Sequence, residues 1–533
     1  MVVAAEAASV FLFCRKQKPS VDNLENIVEP EVVPEIVPEI VPEIEPEVVP
    51  EIEPKVVPET ELLIPTYLGN YKRRFYGKGI PEKLDLIRRF NLGKGNTIVS
   101  GEPKEWSGAG WTGQPTVVKD QGKIYLVIGG FDHQLRKIDI NTNEVAWTYR
   151  FDDVIKGTAT IYIDETASEE NRIVILQGSR RGLDNTIHSP IVPSFRAVSF
   201  RTGKELWRLN IRKTDSYSRD NDSSPIFLKD MNMIFNAGEN GIGYFLNGSV
   251  NSAKKKNGII QPEIVSEVKL YEQSDIPLHG GNLVTESSPV RLEDKLYIAA
   301  GSGHIYGIDL NTMQKIWDFP IRSDLDGTIA ISHEGKLFCS LEKQYLPGNG
   351  GVLKLDPGME PEKSVEWFLP TGDREFSTWQ GGVIGSAALN DEYIDESLPH
   401  LFAVMGIDDY LYIGSQLETT GEKVEGPHKK NYYECPKVVF RENIGPSIST
   451  PIFTEGNKLV AASYNGVYLF KINFERTNNP NKYSLSSPNG EKYNIFVEQE
   501  SHFNKVLPFE ATPVVWDGLV RICCKDGFMY TLG

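Results

Sequence analysis

Cys523-Cys524 is the one adjacent cysteine pair in the chain. Such a pair can form a vicinal disulfide and act in redox chemistry. It sits in an apolar run, Val520-Arg521-Ile522-Cys523-Cys524-Lys525, that reads as a strand. Successive side chains on a strand face opposite sides, so the pair is read as two reduced or half-buried cysteines. Eight histidines are dispersed with no H-x-x-x-H spacing, which argues against zinc. His304 lies in a glycine-rich turn and is read as a turn residue. Arg219-Asp220-Asn221-Asp222 and Asp408-Asp409 offer oxygen ligands without calcium-loop spacing, and are read as solvated loop charge. Gly348 to Gly351 is not followed by a helix, so it is no phosphate loop. No Gly-x-Ser-x-Gly elbow occurs. On these residues no catalytic, cofactor-binding or metal position is assigned, and no cofactor is expected.

The elements that would position any such group are strands. From about residue 84 the chain alternates short apolar runs with glycine-rich turns, and helical periodicity is nearly absent, which argues an all-β fold. One unit is clear: Ser287-Ser288-Pro289-Val290, then Lys295 to Gly301, then His304 to Asp309, then Lys315-Ile316-Trp317. It reads as a four-stranded antiparallel meander. Equivalent starts stand at Gln114-Pro115, Thr158, Ser223-Ser224-Pro225, Gly327-Thr328, Gly385-Ser386, Ser449-Thr450-Pro451 and Ala511-Thr512-Pro513, roughly 40 to 65 residues apart. Eight starts predict an eight-bladed β-propeller, with the small Ser/Thr-Pro residues near the ring axis, where the blades taper. Trp147, Trp207, Trp317 and Trp367 recur late in their units and are read as structural packing between blades. The last unit has three strands, so Leu84 to Gly93 is expected to supply the fourth and close the ring, which removes free sheet edges.

The charge is concentrated at the other end. The chain has 533 residues and a net charge of −17. Proline recurs every fourth residue from Pro30 to Pro58, and ten glutamates with one lysine share residues 29–59. Proline at that period blocks helix and central strand, and glutamate repulsion extends the chain. At about 3.1 Å per residue, thirty residues reach on the order of 90 Å. The stretch is read as a stiff, disordered spacer. An acidic chain is a poor partner for nucleic acid. Five cysteines exclude a disulfide-built scaffold, and no run of about twenty apolar residues forms an ordinary membrane span. The expected organisation is 1–14 a signal or lipobox remnant, 15–62 the tether, 63–83 a lead-in segment, and 84–533 the propeller.

Ala7 to Cys14, an apolar run ending at a cysteine before a polar tether, resembles the end of a bacterial lipoprotein signal peptide, which implies lipidation of Cys14. Phe13 stands where a small residue is usual, and the basic start of such peptides is missing.

The Ser-Ser-Pro starts, the segment Gly301-Ser302-Gly303-His304-Ile305-Tyr306-Gly307-Ile308-Asp309 and the segment Thr202-Gly203-Lys204-Glu205-Leu206-Trp207 resemble the PQQ-like repeats of the quinoprotein alcohol dehydrogenase-like superfamily. The resemblance covers about 84–533 and implies the fold. The superfamily holds PQQ-dependent dehydrogenases and also non-enzymatic lipoproteins, such as the propeller subunit of the outer-membrane assembly machinery. A dehydrogenase of this family is expected to hold calcium and quinone on the ring axis, with a catalytic Asp, carboxylate and amide ligands and often an adjacent cysteine pair. None of these roles transfers to a position here. The expectation is therefore a non-enzymatic binding or assembly scaffold: a monomeric propeller, lipid-anchored in the bacterial cell envelope, taking protein partners there and no nucleic acid. The alternatives are a PQQ-dependent alcohol or sugar dehydrogenase, a carbohydrate- or matrix-binding adhesin, and, without the anchor, a cytoplasmic protein.

Overall fold

The computed structural model describes residues 60–533. Cys14 and the proline-glutamate repeat lie outside the described residues. Eight antiparallel blades form a ring, each with strands a to d from the axis outward. Blade 1 comprises Thr116–Asp120, Lys123–Gly129, Gln134–Asp139 and Val145–Arg150. Strand a to strand d runs from Thr160–Ile163 to Glu205–Leu209 in blade 2, Ile226–Leu228 to Ile264–Lys269 in blade 3, and Val290–Leu292 to Gln314–Pro320 in blade 4. Blade 5 runs from Ala330–Ile331 to Val365–Pro370, blade 6 from Ala388–Leu389 to Tyr432–Asn443, and blade 7 from Ile452–Thr454 to Lys492–Phe503. Blade 8 takes Val514–Trp516, Leu519–Cys523 and Phe528–Leu532 from the C-terminus. Its fourth strand is Leu86–Asn91, paired antiparallel to Phe528–Leu532, so strands from both ends of the propeller close the ring.

Strands b and c are apolar on both faces because each face meets a neighbouring blade. Ile173–Gly178 and Leu401–Met405 are buried at every residue. The resulting cores lie between blades, as between blades 2 and 3, where Trp207, Leu176 and Tyr244 pack together. All four predicted tryptophans stand on strand d. Trp207, Trp317 and Trp367 are buried and Trp147 is half-buried. The indole N–H of Trp147 donates to the Phe200 carbonyl (2.8 Å), that of Trp317 to Met359 (3.0 Å) and that of Trp367 to Gln416 (3.3 Å), all in or beside the next blade.

The Ser/Thr starts do more than fit a taper. Backbone N–H groups donate around the axis from one blade's start to the next blade's hydroxyl: Gln114 to Thr158 (2.8 Å), Ser224 to Ser288 (2.9 Å), Ser288 to Thr328 (2.9 Å), Thr328 to Ser386 (3.0 Å) and Ser386 to Thr450 (2.9 Å). Strand a of blades 1 to 7 thus begins at a shared hydrogen-bonded belt. Because the strands alternate in direction, the d-to-a and b-to-c connections emerge on the same face, here called the entry face.

Residues 60–80 close the axis from the opposite face. Thr60–Ile64 pairs antiparallel with strand a of blade 1. The chain reverses below the belt, and Gly77–Lys78 leaves in parallel with Val515–Trp516. Gly77 has φ 127°, and a Cβ there would lie 1.6 Å from the Val515 carbonyl oxygen, so only glycine allows this approach. The plug touches the inner region of every blade. Leu68 N–H donates to Gln114 Oε1, Thr66 bonds Thr160, and Tyr67 Oη bonds Thr450 and Thr512. Arg73 donates to the carbonyls of Ser224 and Pro289, and Arg74 to that of Ile331, while Leu389 N–H donates to Tyr76 Oη. The segment read as a lead-in is the axial plug of the fold.

Candidate functional site

With the axis closed below the belt, the entry face carries a cup. Its wall comes from one register of the repeat, two residues before the belt residues Thr158, Ser224, Ser288, Thr328, Ser386 and Thr450. That position holds Lys156, Asp222, Glu286 and Asp326 in the loops entering blades 2 to 5, then Ile384 and Ile448 entering blades 6 and 7. One side of the cup is charged. The other is apolar, where Ile384, Ile448, Ile407 and Trp111 cluster.

Three carboxylates meet on the charged side. Asp222, Glu239 and Glu286 each present an oxygen, and these lie within 4.8 Å of one another. Glu239 stands in the b-to-c turn of blade 3. Asp222 and Glu239 are 2% and 3% exposed. Lys156 Nζ pairs with Asp222 and lies 3.4 Å from Glu286 Oε1. Ser218 Oγ donates to Glu239 Oε2 at 2.7 Å. Asp222 Oδ1 and Glu239 Oε1 are buried and have no hydrogen-bond partner. Buried acceptors normally find a donor, so two empty ones in one cluster mark a place shaped for a cation or a proton.

The electrostatics agree. Burial, then Asp222, raises the Glu239 carboxyl well above the usual range, and burial raises Glu286. Burial alone would lower the Lys156 ammonium, but Asp222, Glu286 and Glu239 outweigh it and hold its pKa well above normal. A second acidic group continues along the wall. Burial pushes Asp324 up to about 7, though Asn282 Nδ2 donates to it at 2.7 Å. Asp326 and Glu342 share a hydrogen bond, and burial raises both well above the carboxylate range. A cleft of about 560 Å³ opens onto the cluster, rimmed by Trp106 and Tyr217. Arg180 lines it too, but Asp220 holds that guanidinium (2.7 Å).

Arg219 to Asp222 are not the solvated loop charge expected from the sequence: all four residues are buried. Arg219 donates to the carbonyls of Ile211, Ile187 and Ser189, and Asp220 pairs with Arg180. Glu239, Glu286 and Lys156 stand far apart in sequence, so no local spacing marks them. The register before each repeat start was the signal that would have found two of them. His304 is also more than a turn residue: it opens strand c of blade 4 and bonds Asp318 (2.6 Å) and Asp275 (3.3 Å).

Cys523 and Cys524 are buried and unpaired. Cys523 packs in the core between blades 8 and 1, and Cys524 among the blade 7 and 8 residues on the other face. The two thiols therefore point away from each other into different interfaces. The acidic cup fits a cation. The cysteine pair does not fit as a platform for a quinone on the axis.

Neither the protein-family models nor the curated proteins include a match to this chain. Solved structures do resemble it. The quinohemoprotein alcohol dehydrogenase from Comamonas testosteroni aligns with TM-score 0.52 and 12% identity, covering 88% of this chain and 80% of that one. A europium-containing methanol dehydrogenase aligns with TM-score 0.50 and 12% identity, covering 87% and 91%. BamB from Moraxella catarrhalis aligns with TM-score 0.38 and 11% identity, covering 78% and 99%. At 12% identity the likeness to the two dehydrogenases is one of fold alone: the chain has a PQQ-like eight-bladed propeller fold.

Proposed function

We propose that this chain is a cation-dependent binding propeller. A metal ion in the Asp222–Glu239–Glu286 cup organises the entry face, and the loops around it contact protein partners. The observation that carries the reading is the pair of buried, donorless oxygens, Asp222 Oδ1 and Glu239 Oε1, beside a third carboxylate. Oxygen-only ligands of this charge suit calcium or a lanthanide. Glu239 and Glu286 hold protons more tightly than ordinary carboxyls, so binding the ion should release them. Calorimetric titration with calcium and with terbium is expected to show one site and proton release. Glu239→Gln and Glu286→Gln should each weaken binding at least about tenfold while leaving the fold intact. No binding by the unaltered protein at millimolar ion overturns the reading.

The cell envelope is the proposed location, with lipid on Cys14 and the proline-glutamate repeat as spacer. The support is the sequence pattern around Cys14. An intact-mass measurement on membrane-extracted protein should find the chain beginning at a lipidated Cys14; an unmodified N-terminus rejects the anchor. Mild crosslinking followed by mass spectrometry should recover envelope proteins on the same footing.

The cup also favours a second reading, a quinone-dependent dehydrogenase. In it Asp222, Glu239 and Glu286 would hold the ion, and the quinone would supply the oxidising chemistry. Against it stand the two cysteines, which face blade cores. PQQ with calcium should then bind and give dye-linked alcohol or sugar oxidation. Absence of both eliminates it.

A further inference from the structure

Blade 6 carries a hairpin far longer than its blade needs, Tyr410–Glu425 with Tyr432–Asn443. It folds over blade 5, where Val424 and Tyr433 join the core between blades 4 and 5. The Gly348 N–H, in the b-to-c loop of blade 5, donates to the Pro427 carbonyl at 2.8 Å. The tip sets His428 against the Ile321 backbone, beyond strand d of blade 4.

This placement builds a pocket of about 530 Å³ from three blades. Blade 6 contributes His428 and Lys430 from the hairpin tip. Arg322 follows blade 4, and His279 ends the short helix Asp275–His279. No carboxylate lines it, although the chain carries a net charge of −17. Among the described residues, no carboxylate pairs with Arg322 or Lys430, whereas nearby Asp275 is engaged by His304. Burial lowers the pKa of both imidazoles; Arg322 adds to this for both and Lys430 for His428, while Asp275 works the other way on His279. His279 is 4% exposed, its Nδ1 has no partner, and its ring meets Tyr345 edge-on with centroids 4.5 Å apart. Tyr345 is 42% exposed and gives the pocket a flat apolar wall.

We propose that this pocket binds a small organic oxyanion with a ring body, of the size of a sugar phosphate or a uronic acid. The guanidinium and ammonium would take the oxyanion, and the Tyr345 face would take the ring. The volume lies in the range of small-molecule sites. A planar guanidinium is suited to phosphate or carboxylate oxygens. No carboxylate among the described residues pairs with either cation, so both stay available to a ligand anion. The site is separate from the acidic cup and does not depend on a metal there.

The test is calorimetric titration of the full chain with glucose 6-phosphate, glucuronate, inorganic phosphate and glucose. Glucose 6-phosphate or glucuronate should bind, and glucose should not. Arg322→Gln and Lys430→Gln should each weaken binding at least tenfold. Arg322 has φ 58°, which glutamine meets as arginine does, so the variant tests charge rather than backbone. Tyr345→Ala should weaken the sugar anions while sparing inorganic phosphate. Lys429→Gln, beside the pocket, should change nothing. Three outcomes overturn the proposal: no binding of either sugar anion at millimolar concentration, equal binding of glucose, or full affinity in both charge variants. Binding of inorganic phosphate alone overturns the ring-bearing ligand class.

Discussion

Arg73→Ala is expected to destabilise the propeller by on the order of 3–5 kcal/mol, read as a drop in urea midpoint and melting temperature. Arg73 is fully buried at the centre of the plug. It donates to Thr66 Oγ1 and Tyr67 O at 2.7 Å each, to Ser224 O at 3.0 Å and to Pro289 O at 3.1 Å. It thereby ties the plug to itself and to blades 3 and 4. Each acceptor left empty costs roughly 1–3 kcal/mol, and the vacated volume adds a cavity cost. No carboxylate is among these partners, and burial brings the guanidinium pKa down to about 9. That desolvation is relieved in the variant and offsets part of the loss. Arg73→Lys should recover less than half, because one ammonium cannot reach acceptors spread around a planar fork. A midpoint unchanged in Arg73→Ala would mean that the plug is not what ties the inner strands together.

The second large effect is on pH. The metal-free protein is expected to be more stable at pH 5.5 than at pH 8. Burial raises the carboxyls of Glu239, Glu286, Asp324, Asp326 and Glu342 above the roughly pH 4 of an unfolded chain. Between the two pKa values the native state binds more protons than the unfolded state, so stability falls as pH rises through that window. For Asp324, moved from 3.8 to about 7, the loss is on the order of 4 kcal/mol if the group acted alone. The five groups interact, so their effects do not add. The carboxyls of Asp391 and Glu205 are lowered instead, by hydrogen bonds and nearby cations that overcome burial. Their contribution is lost below about pH 4, which sets the acid side of the optimum. Glu342→Gln should raise the melting temperature at pH 8 and flatten the slope. Saturating calcium should flatten it too if the cup binds the ion. A melting temperature that is level or rising from pH 5.5 to 8 would contradict the burial of these groups as charged neighbours.

How much of this was legible in the chain differs by element. The repeat starts were, because Ser/Thr-Pro and the glycine turns recur with local chemistry that needs no distant partner. The closing strand was, because a three-strand last unit leaves an edge that Leu86–Asn91 can cover. The blade tryptophans were, because a large indole at a fixed repeat position has little to do except pack. The axial plug was not. Tyr67, Arg73 and Tyr76 stand in a segment without periodicity, and their partners lie up to 445 residues away. Arg73 looks like any surface arginine until the ring closes around it.

The sequence by itself determined an all-β ring of eight four-stranded blades, since strand period, turn residues and internal repeat are local properties repeated eight times. Only the tertiary structure decided what stands at the centre and on the entry face. Ring closure brings one register of successive repeats together, turning Asp222 and Glu286, each an ordinary loop carboxylate in sequence, into neighbours of Glu239. It also carries the blade 6 hairpin across blade 5, so that His428 and Lys430 meet Arg322 and His279. Burial and like-charge proximity arise from that convergence, and neither is a property of any one segment.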